Sequence, residues 1–372
     1  MKRKAALAAA ALILLSGCGS SIGSVNSGKA TEANGSIETY VVSADPQTCA
    51  PTATSAPETT AAPETTTTSA TETASSSATS ATTVATTPPT SATTSSPDEE
   101  KPKPQGLVKV FDANVSSQDK LDEYLAELEE LVTSKLGYKA GIAYENLSTG
   151  ARIQFNANKQ FFTASTIKAP YVKCLLEKGI DLNEKITLKN VWDDGDPSIG
   201  QIVPSDEDKE FTAKALVEKT IQLSDNSAYN NLVQHYGIND FNALMERLGV
   251  SMRISFGNIF RSATAAEQCR LYKDIYEFSQ NNSSGKYLIA LLENCETNVQ
   301  IGRSLGVKYP VAQKYGAEYD YEPQTYNDCA ICYAQKPFVL CILTEQYPNT
   351  DTSNAFFLEA SVIFDKINSL MI

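Results

Sequence analysis

The chain has 372 residues, a formal net charge of −13 at pH 7 and a single histidine. That acidic balance argues against nucleic acid as a partner and against a basic membrane-binding face. One histidine and one Cys-x-x-Cys pair supply too few ligands for a familiar zinc centre.

Residues 1–17 begin Met1-Lys2-Arg3-Lys4, continue through an apolar run from Ala5 to Leu15, and end in Ser16-Gly17. The run is too short to span a bilayer and has the layout of an export signal. Leu15-Ser16-Gly17-Cys18 resembles the bacterial lipoprotein box. The resemblance implies lipidation at Cys18, export, and anchoring to the outer face of a bacterial membrane. Residues 18–105 are dominated by Ser, Thr, Ala, Pro and Glu. Such a stretch cannot bury enough apolar surface to fold, so a disordered tether is expected. Residues 106–372 remain as one soluble unit, expected to be a monomer and large enough for a sizeable core.

Within that unit, Leu121, Leu125, Leu128, Leu131 and Val132 recur at helical spacing, predicting a helix from Ser116 to Leu136 that stops at Gly137. Gly141–Glu145 and Arg152–Phe155 flank a Ser-Thr-Gly turn and read as a β-hairpin. A helix follows Ser165, and further helices are expected near 213–222, 227–236, 239–248, 263–279 and 286–296. Strands are expected near 309–317, 328–335 and 338–345, and a last amphipathic helix near 353–369. Strands at both ends and helices between them predict an α/β (α+β) fold: one mostly antiparallel sheet from both chain ends, packed beside an all-helical region. A site belongs in the cleft between the two.

Three short stretches carry the chemistry. The first is Ser165-Thr166-Ile167-Lys168. A serine hydroxyl needs a nearby base, and a lysine three residues on along a helix projects from the same face. Burial or a second cation lowers the lysine pKa and makes it a base. The second is Ser224-Asp225-Asn226, at a helix start. Its serine can relay a proton and its asparagine amide can bind a carbonyl or a lysine, although the same residues also serve as ordinary helix caps. The third is Lys314-Tyr315-Gly316-Ala317 on a strand. There a lysine can hold a carboxylate, glycine permits close approach, and the next N–H can face an oxyanion. Cys329 and Cys332 have metal or redox spacing, but a strand would point them to opposite faces.

Ser-x-x-Lys, Ser-Asp-Asn and Lys-x-Gly in this order resemble the signature set of class A β-lactamases and penicillin-binding proteins, over roughly 116–372. The resemblance implies that Ser165 forms an acyl-enzyme with a small-molecule β-lactam or a peptidoglycan-related amide. Lys168 would be the base or a relay, and Ser224 would pass a proton to the leaving nitrogen. Asn226 would bind the substrate amide and Lys168. Lys314 would hold the substrate carboxylate, with Tyr315 and Gly316 beside it, and the N–H groups of Ser165 and Ala317 would form the oxyanion hole. No cofactor and no metal are implied.

Two departures from the family pattern stand out. Tyr315 occupies a place that usually carries Thr or Ser, whose small hydroxyl helps bind the carboxylate. The Glu-x-x-Leu-Asn loop, whose glutamate activates the deacylating water in class A enzymes, is absent between Asn226 and Ala263. Slow deacylation is therefore expected. Two alternatives stay open: a penicillin-binding sensor or sink, and a non-catalytic, surface-tethered binding domain. His235 falls in the last turn of a helix, an ordinary place for histidine and a poor one for a Ser-His-Asp triad. Val191-Trp192-Asp193-Asp194-Gly195 lies where the family's helical region overhangs the cleft; Trp192 fits the core or the cleft mouth.

Overall fold

A computed structural model describes residues 108–137, 139–295 and 300–372. The export signal, Cys18 and the tether expected over residues 1–105 lie outside the described residues.

β1 (Val108–Phe111) precedes α1 (Gln118–Leu136). Ser117 caps the start of α1 by accepting from Lys120 N, and Gly137 ends it at φ +53, where glycine avoids the Cβ penalty. β2 (Ala140–Asn146) and β3 (Arg152–Phe155) form the expected hairpin. β4 (Gln160–Phe162) leads into a 3-10 turn, Ala164–Ile167, and then α2 (Lys168–Lys178). β5 (Lys185–Thr187) pairs with β6 (Glu210–Thr212). α3 (Ala213–Gln222), α4 (Asn226–Tyr236) and α5 (Asn239–Arg247) follow. β7 (Ser262–Thr264) returns to pair with β4. Next come α6 (Ala265–Asn281), α7 (Ser283–Glu293) and α8 (Gln300–Leu305). β8 (Val311–Glu318), β9 (Thr325–Cys332), β10 (Phe338–Thr344) and α9 (Asp351–Leu370) complete the order.

The main sheet is six-stranded and antiparallel throughout, in the order β1-β3-β2-β10-β9-β8. It joins the two ends of the folded unit directly, with Ala143 opposite Cys341 and Tyr144 opposite Leu340. β10 is apolar along nearly its whole length and buried at every position, as a strand covered on both faces must be. Its two-residue period divides the core. Val339, Cys341 and Leu343 pack with Val172 of α2 and Tyr272 of α6. Phe338, Leu340 and Ile342 pack with Leu128 of α1 and Phe356 and Phe364 of α9. Each large side chain fully buried this way contributes about 1.5–3 kcal/mol.

The expected division into a sheet built from both chain ends and an inserted helical region therefore holds. β1, the short ribbons β4–β7 and β5–β6, and α8 had no counterpart in the sequence reading. Three-residue strands are too brief to display a period. Cys329 falls in one half of the core and Cys332 in the other, on opposite faces of β9. Cys174, Cys269, Cys295, Cys329, Cys332 and Cys341 are buried free thiols.

Candidate active site

α2 reads Lys-Ala-Pro-Tyr-Val-Lys-Cys-Leu-Leu, and every one of these residues is buried. The helix runs through the interior of the helical region, so whatever stands at its head is carried into the core. The 3-10 turn before it places Ser165 on the surface of a cleft and Lys168 beneath, with Lys168 N donating to Ser165 O. Ala164, just before the nucleophile candidate, has φ +46, and Ser224 has φ +56. Left-handed backbone at a residue with a Cβ costs roughly 1–2 kcal/mol, and such strain gathers at functional sites.

Lys168 is 0% exposed. Its ammonium lies 2.6 Å from Ser224 O, 2.6 Å from Asn226 Oδ1 and 3.4 Å from Ser224 Oγ. Burial pushes its pKa well below the usual lysine value, and the positive charge of Lys314 adds to the effect, while Asp225 and Asp194 oppose it. The rings of Phe260 and Tyr229 stand 5.5 and 5.8 Å from the same nitrogen. A lysine so placed is primed to exist as a neutral amine, which is what a base requires.

Ser224-Asp225-Asn226 joins α3 to α4. Its middle residue is structural: Asp225 Oδ1 caps α4 by accepting from Ala228 N at 2.8 Å, and Oδ2 accepts from Ile202 N at 2.6 Å. The helix-cap role weighed for this stretch thus falls to Asp225, leaving its neighbours for Lys168. Ser227 Oγ accepts from Trp192 N at 2.8 Å, tying the Trp192 segment to the head of α4.

On the sheet side, Lys314 is also 0% exposed. Its ammonium lies 3.2 Å from Tyr315 O and 4.3 Å from the centre of the Tyr315 ring. Burial pushes its pKa down to about 8, against the opposing charges of Cys295 and Asp328. Gly316 presses on the nucleophile turn. A Cβ there would stand 2.6 Å from Thr163 O, 2.8 Å from Ser165 N and 3.1 Å from Ala164 Cβ. Only glycine lets β8 come this near, and the approach brings Ala317 and the Ser165 N–H to one wall.

The cleft has a volume of about 680 Å³, and Ser165, Asn226 and Ala317 are part of its lining. Lys168 and Lys314 sit behind that lining, fully buried. The structure thus gathers all three motifs around one hollow between sheet and helices. Trp192 lines the cleft as well, and its ring packs 6.1 Å from that of Phe260.

Two cleft residues were missed at the sequence level. Phe260 belongs to the stretch that lacks the glutamate motif, and it faces Lys168 with an aromatic ring. Asp194 lies in the segment beside Trp192, and its Oδ2 accepts from Asn226 Nδ2 at 2.5 Å. An acidic pair next to the only tryptophan was the available signal, but its partner is distant in sequence. Other acids are occupied or remote. Glu246 is exposed on α5. Glu267 is the capping-box residue of α6 and accepts from Ser251 N at 2.6 Å and Thr264 N at 2.8 Å. Burial raises the Glu267 pKa, but these N–H groups outweigh it and hold it below the ordinary carboxylate value. His235 contacts Glu184 at 3.0 Å and is not part of the cleft lining.

Comparison with known proteins gives the same fold. A mutant of PBP-A, solved as an acyl-enzyme complex with penicillin G, superposes with a TM-score of 0.58 at 18% identity, covering 67% of this chain and 98% of that one. A β-lactamase from Streptosporangium roseum gives 0.56 at 20% identity, over 67% of this chain and 99% of its own. An ancestral class A β-lactamase gives 0.54 at 23% identity, over 66% and 99%. The family model described as "Beta-lactamase enzyme family" matches residues 121–365, and the chain therefore belongs to the β-lactamase enzyme family.

Proposed function

We propose that the protein is a serine hydrolase of the β-lactamase type that forms an acyl-enzyme at Ser165 with β-lactams or related cell-wall amides and releases it slowly. The observation that carries this is the buried Lys168, one turn from Ser165 and 3.4 Å from Ser224 Oγ. Neutral Lys168 takes the Ser165 proton as Oγ attacks the amide carbonyl. The oxyanion meets the N–H groups of Ser165 and Ala317. The C–N bond breaks, and the proton returns through Ser224 to the leaving nitrogen. Asn226 binds the acyl-side amide, and Lys314 holds the substrate carboxylate from behind β8. The product of this half-reaction is an ester on Ser165, which water must cleave.

That second step is where a sensor or sink becomes the competing reading, and Phe260 favours it. The segment between Asn226 and Ala263 lacks the Glu-x-x-Leu-Asn motif of the family's hydrolytic members and presents the Phe260 ring 5.5 Å from Lys168 Nζ. A mutant of PBP-A, a protein of the same fold, was solved as its acyl-enzyme with penicillin G.

In the cell we assign residues 1–17 to an export signal, Cys18 to lipidation, and residues 18–105 to a tether that holds a monomeric 106–372 domain at the outer face of a bacterial membrane. Cys18→Ala is expected to release the protein from the membrane fraction. Intact-protein mass after incubation with benzylpenicillin tests the activity. A stable adduct of one penicillin, absent in Ser165→Ala, is expected. An unmodified mass at all times removes the acyl-enzyme reading.

A further inference from the structure

Asn226 has an amide with two unlike ends, and the structure commits both. Oδ1 faces inward and accepts from Lys168 Nζ at 2.6 Å. Nδ2 then points toward the cleft and donates to Asp194 Oδ2 at 2.5 Å. The Asp194 carboxylate fixes this orientation because it needs a donor, and Lys168 Nζ, neutral or charged, can donate to the inward oxygen. An amide nitrogen carries two hydrogens. One is held by Asp194, and the other is left for the carbonyl of a bound substrate. Any group attached beside that carbonyl is then delivered next to the Asp194 carboxylate.

Asp194 is exposed and belongs to the cleft lining, with Trp192 two residues away on the same wall. The other charged residues of the lining are Glu318 and Asp320, and no lysine or arginine is among them. Glu318 accepts from Asp320 N and Tyr321 N, so its carboxylate is turned toward its own loop. Lys168 and Lys314 lie fully buried behind the lining. A substrate side chain entering past Trp192 therefore meets a carboxylate and an aromatic ring, the pair that suits an ammonium.

Building on the acyl-enzyme function above, we propose that Asp194 is the specificity-determining residue of this cleft. It selects acyl substrates that carry an ammonium next to the amide carbonyl. Chemically these are aminoacyl amides with a free amine, in contrast to acyl groups that are neutral at that position.

Ampicillin and benzylpenicillin test this directly, since the first differs from the second by one amine beside the side-chain carbonyl. Trp192 is the only tryptophan and lines the cleft, so its fluorescence reports binding without any chemistry. Affinities are measured in Ser165→Ala, at low salt and a pH where the amine is protonated. Ampicillin is expected to bind about 1.5-fold to fivefold more tightly, the range for one solvent-accessible charge pair. The ratio should shrink as salt is added. It should fall to about one in the Ser165→Ala, Asp194→Asn double variant. Equal affinities for the two penicillins, binding of neither, or a preference that persists without the Asp194 charge would each overturn the proposal. Intact mass of the wild-type protein with the same compounds separates the two claims. Preferential binding with no adduct would leave Asp194 as the selector and remove the hydrolase.

Discussion

Lys168 Nζ and Asn226 Oδ1 stand 2.6 Å apart, joining the head of α2 to the head of α4 across 58 residues of sequence. The contact orders the lysine at the buried end of the cleft, where desolvation and the Lys314 charge both favour its neutral form. The neutral amine is the base, and protonation removes it. Acylation should therefore rise with pH through the Lys168 pKa, which lies well below that of a free lysine. Asn226→Ala removes an acceptor that favours the ammonium, so its rising limb should move to lower pH while the plateau falls. Lys168→Ala should slow acylation by at least about 10²-fold and abolish the limb. Second-order acylation rates between acidic and alkaline pH check all three. A limb that survives Lys168→Ala would assign the base elsewhere.

Gly316 offers a test of geometry. An added methyl would meet Thr163 O at 2.6 Å and Ser165 N at 2.8 Å, both backbone atoms that cannot swing aside. Gly316→Ala should force β8 away from the nucleophile turn. A cost of about 1–3 kcal/mol is expected from such overpacking. Displacing the oxyanion donors by about 1 Å is enough for a loss on the order of 10²-fold in acylation. Chemical denaturation and single-turnover labelling read the two effects. A variant with wild-type acylation would show that Ala317 and Ser165 do not act together.

Deacylation is expected to limit turnover, giving a burst of one equivalent on a chromogenic cephalosporin and then a slow steady rate. Phe260 is the residue to change. Its ring stands 5.5 Å from Lys168 Nζ, and it packs against Tyr229 at 5.4 Å. Phe260→Glu should raise the slow phase by about 10- to 10²-fold, short of the roughly 10²–10⁴-fold that a well-placed general base supplies. The burst amplitude should stay at one equivalent. Rapid turnover without a burst in the wild type would mean that another group already activates water. Glu267 is a poor candidate for that group, because one oxygen already accepts from Ser251 N and the other from Thr264 N at the cap of α6.

Lys314 illustrates function held against stability. Its folded pKa of about 8 lies below that of an unfolded lysine. The folded state therefore binds fewer protons than the unfolded one above pH 8, and stability from this group rises with pH across that window. Below it, the buried ammonium is a cost. At 1.36 kcal/mol per unit, that cost is on the order of 3 kcal/mol. Lys314→Met should raise the melting temperature at pH 7 by an amount equivalent to about 1–3 kcal/mol, with little change at pH 10, and should abolish productive carboxylate binding. A melting temperature that falls at pH 7 would show that the contacts with Tyr315 outweigh desolvation.

Much of this molecule was legible before its structure. Helical and two-residue periods are local, and they located α1, the β2–β3 hairpin, α3 to α7, β8 to β10 and α9. The three motifs were legible for the same reason: each is a few residues whose types already name a chemistry. The division of β10 between two halves of the core was not legible, because the strand is apolar along nearly its whole length and shows no alternation. Segments of three residues did not follow, because β4, β5, β6 and β7 exist only through a partner strand far along the chain. The state of Lys168 also depended on tertiary structure. Its lowered pKa comes from burial at the head of α2 and from Lys314, 146 positions later in the numbering. The same holds for the division of labour within Ser224-Asp225-Asn226. Composition cannot say which member caps a helix; the folded chain gives the cap to Asp225, whose Oδ1 accepts from Ala228 N and whose Oδ2 accepts from the distant Ile202 N. Phe260 had no sequence signature and Asp194 only its place beside Trp192, since a ring or a carboxylate becomes part of a site only when the fold sets it against a lysine or an amide. Short-range order set by side-chain type was thus written in the sequence. Electrostatics and cleft chemistry depend on distances between remote residues, and only the folded chain decided those.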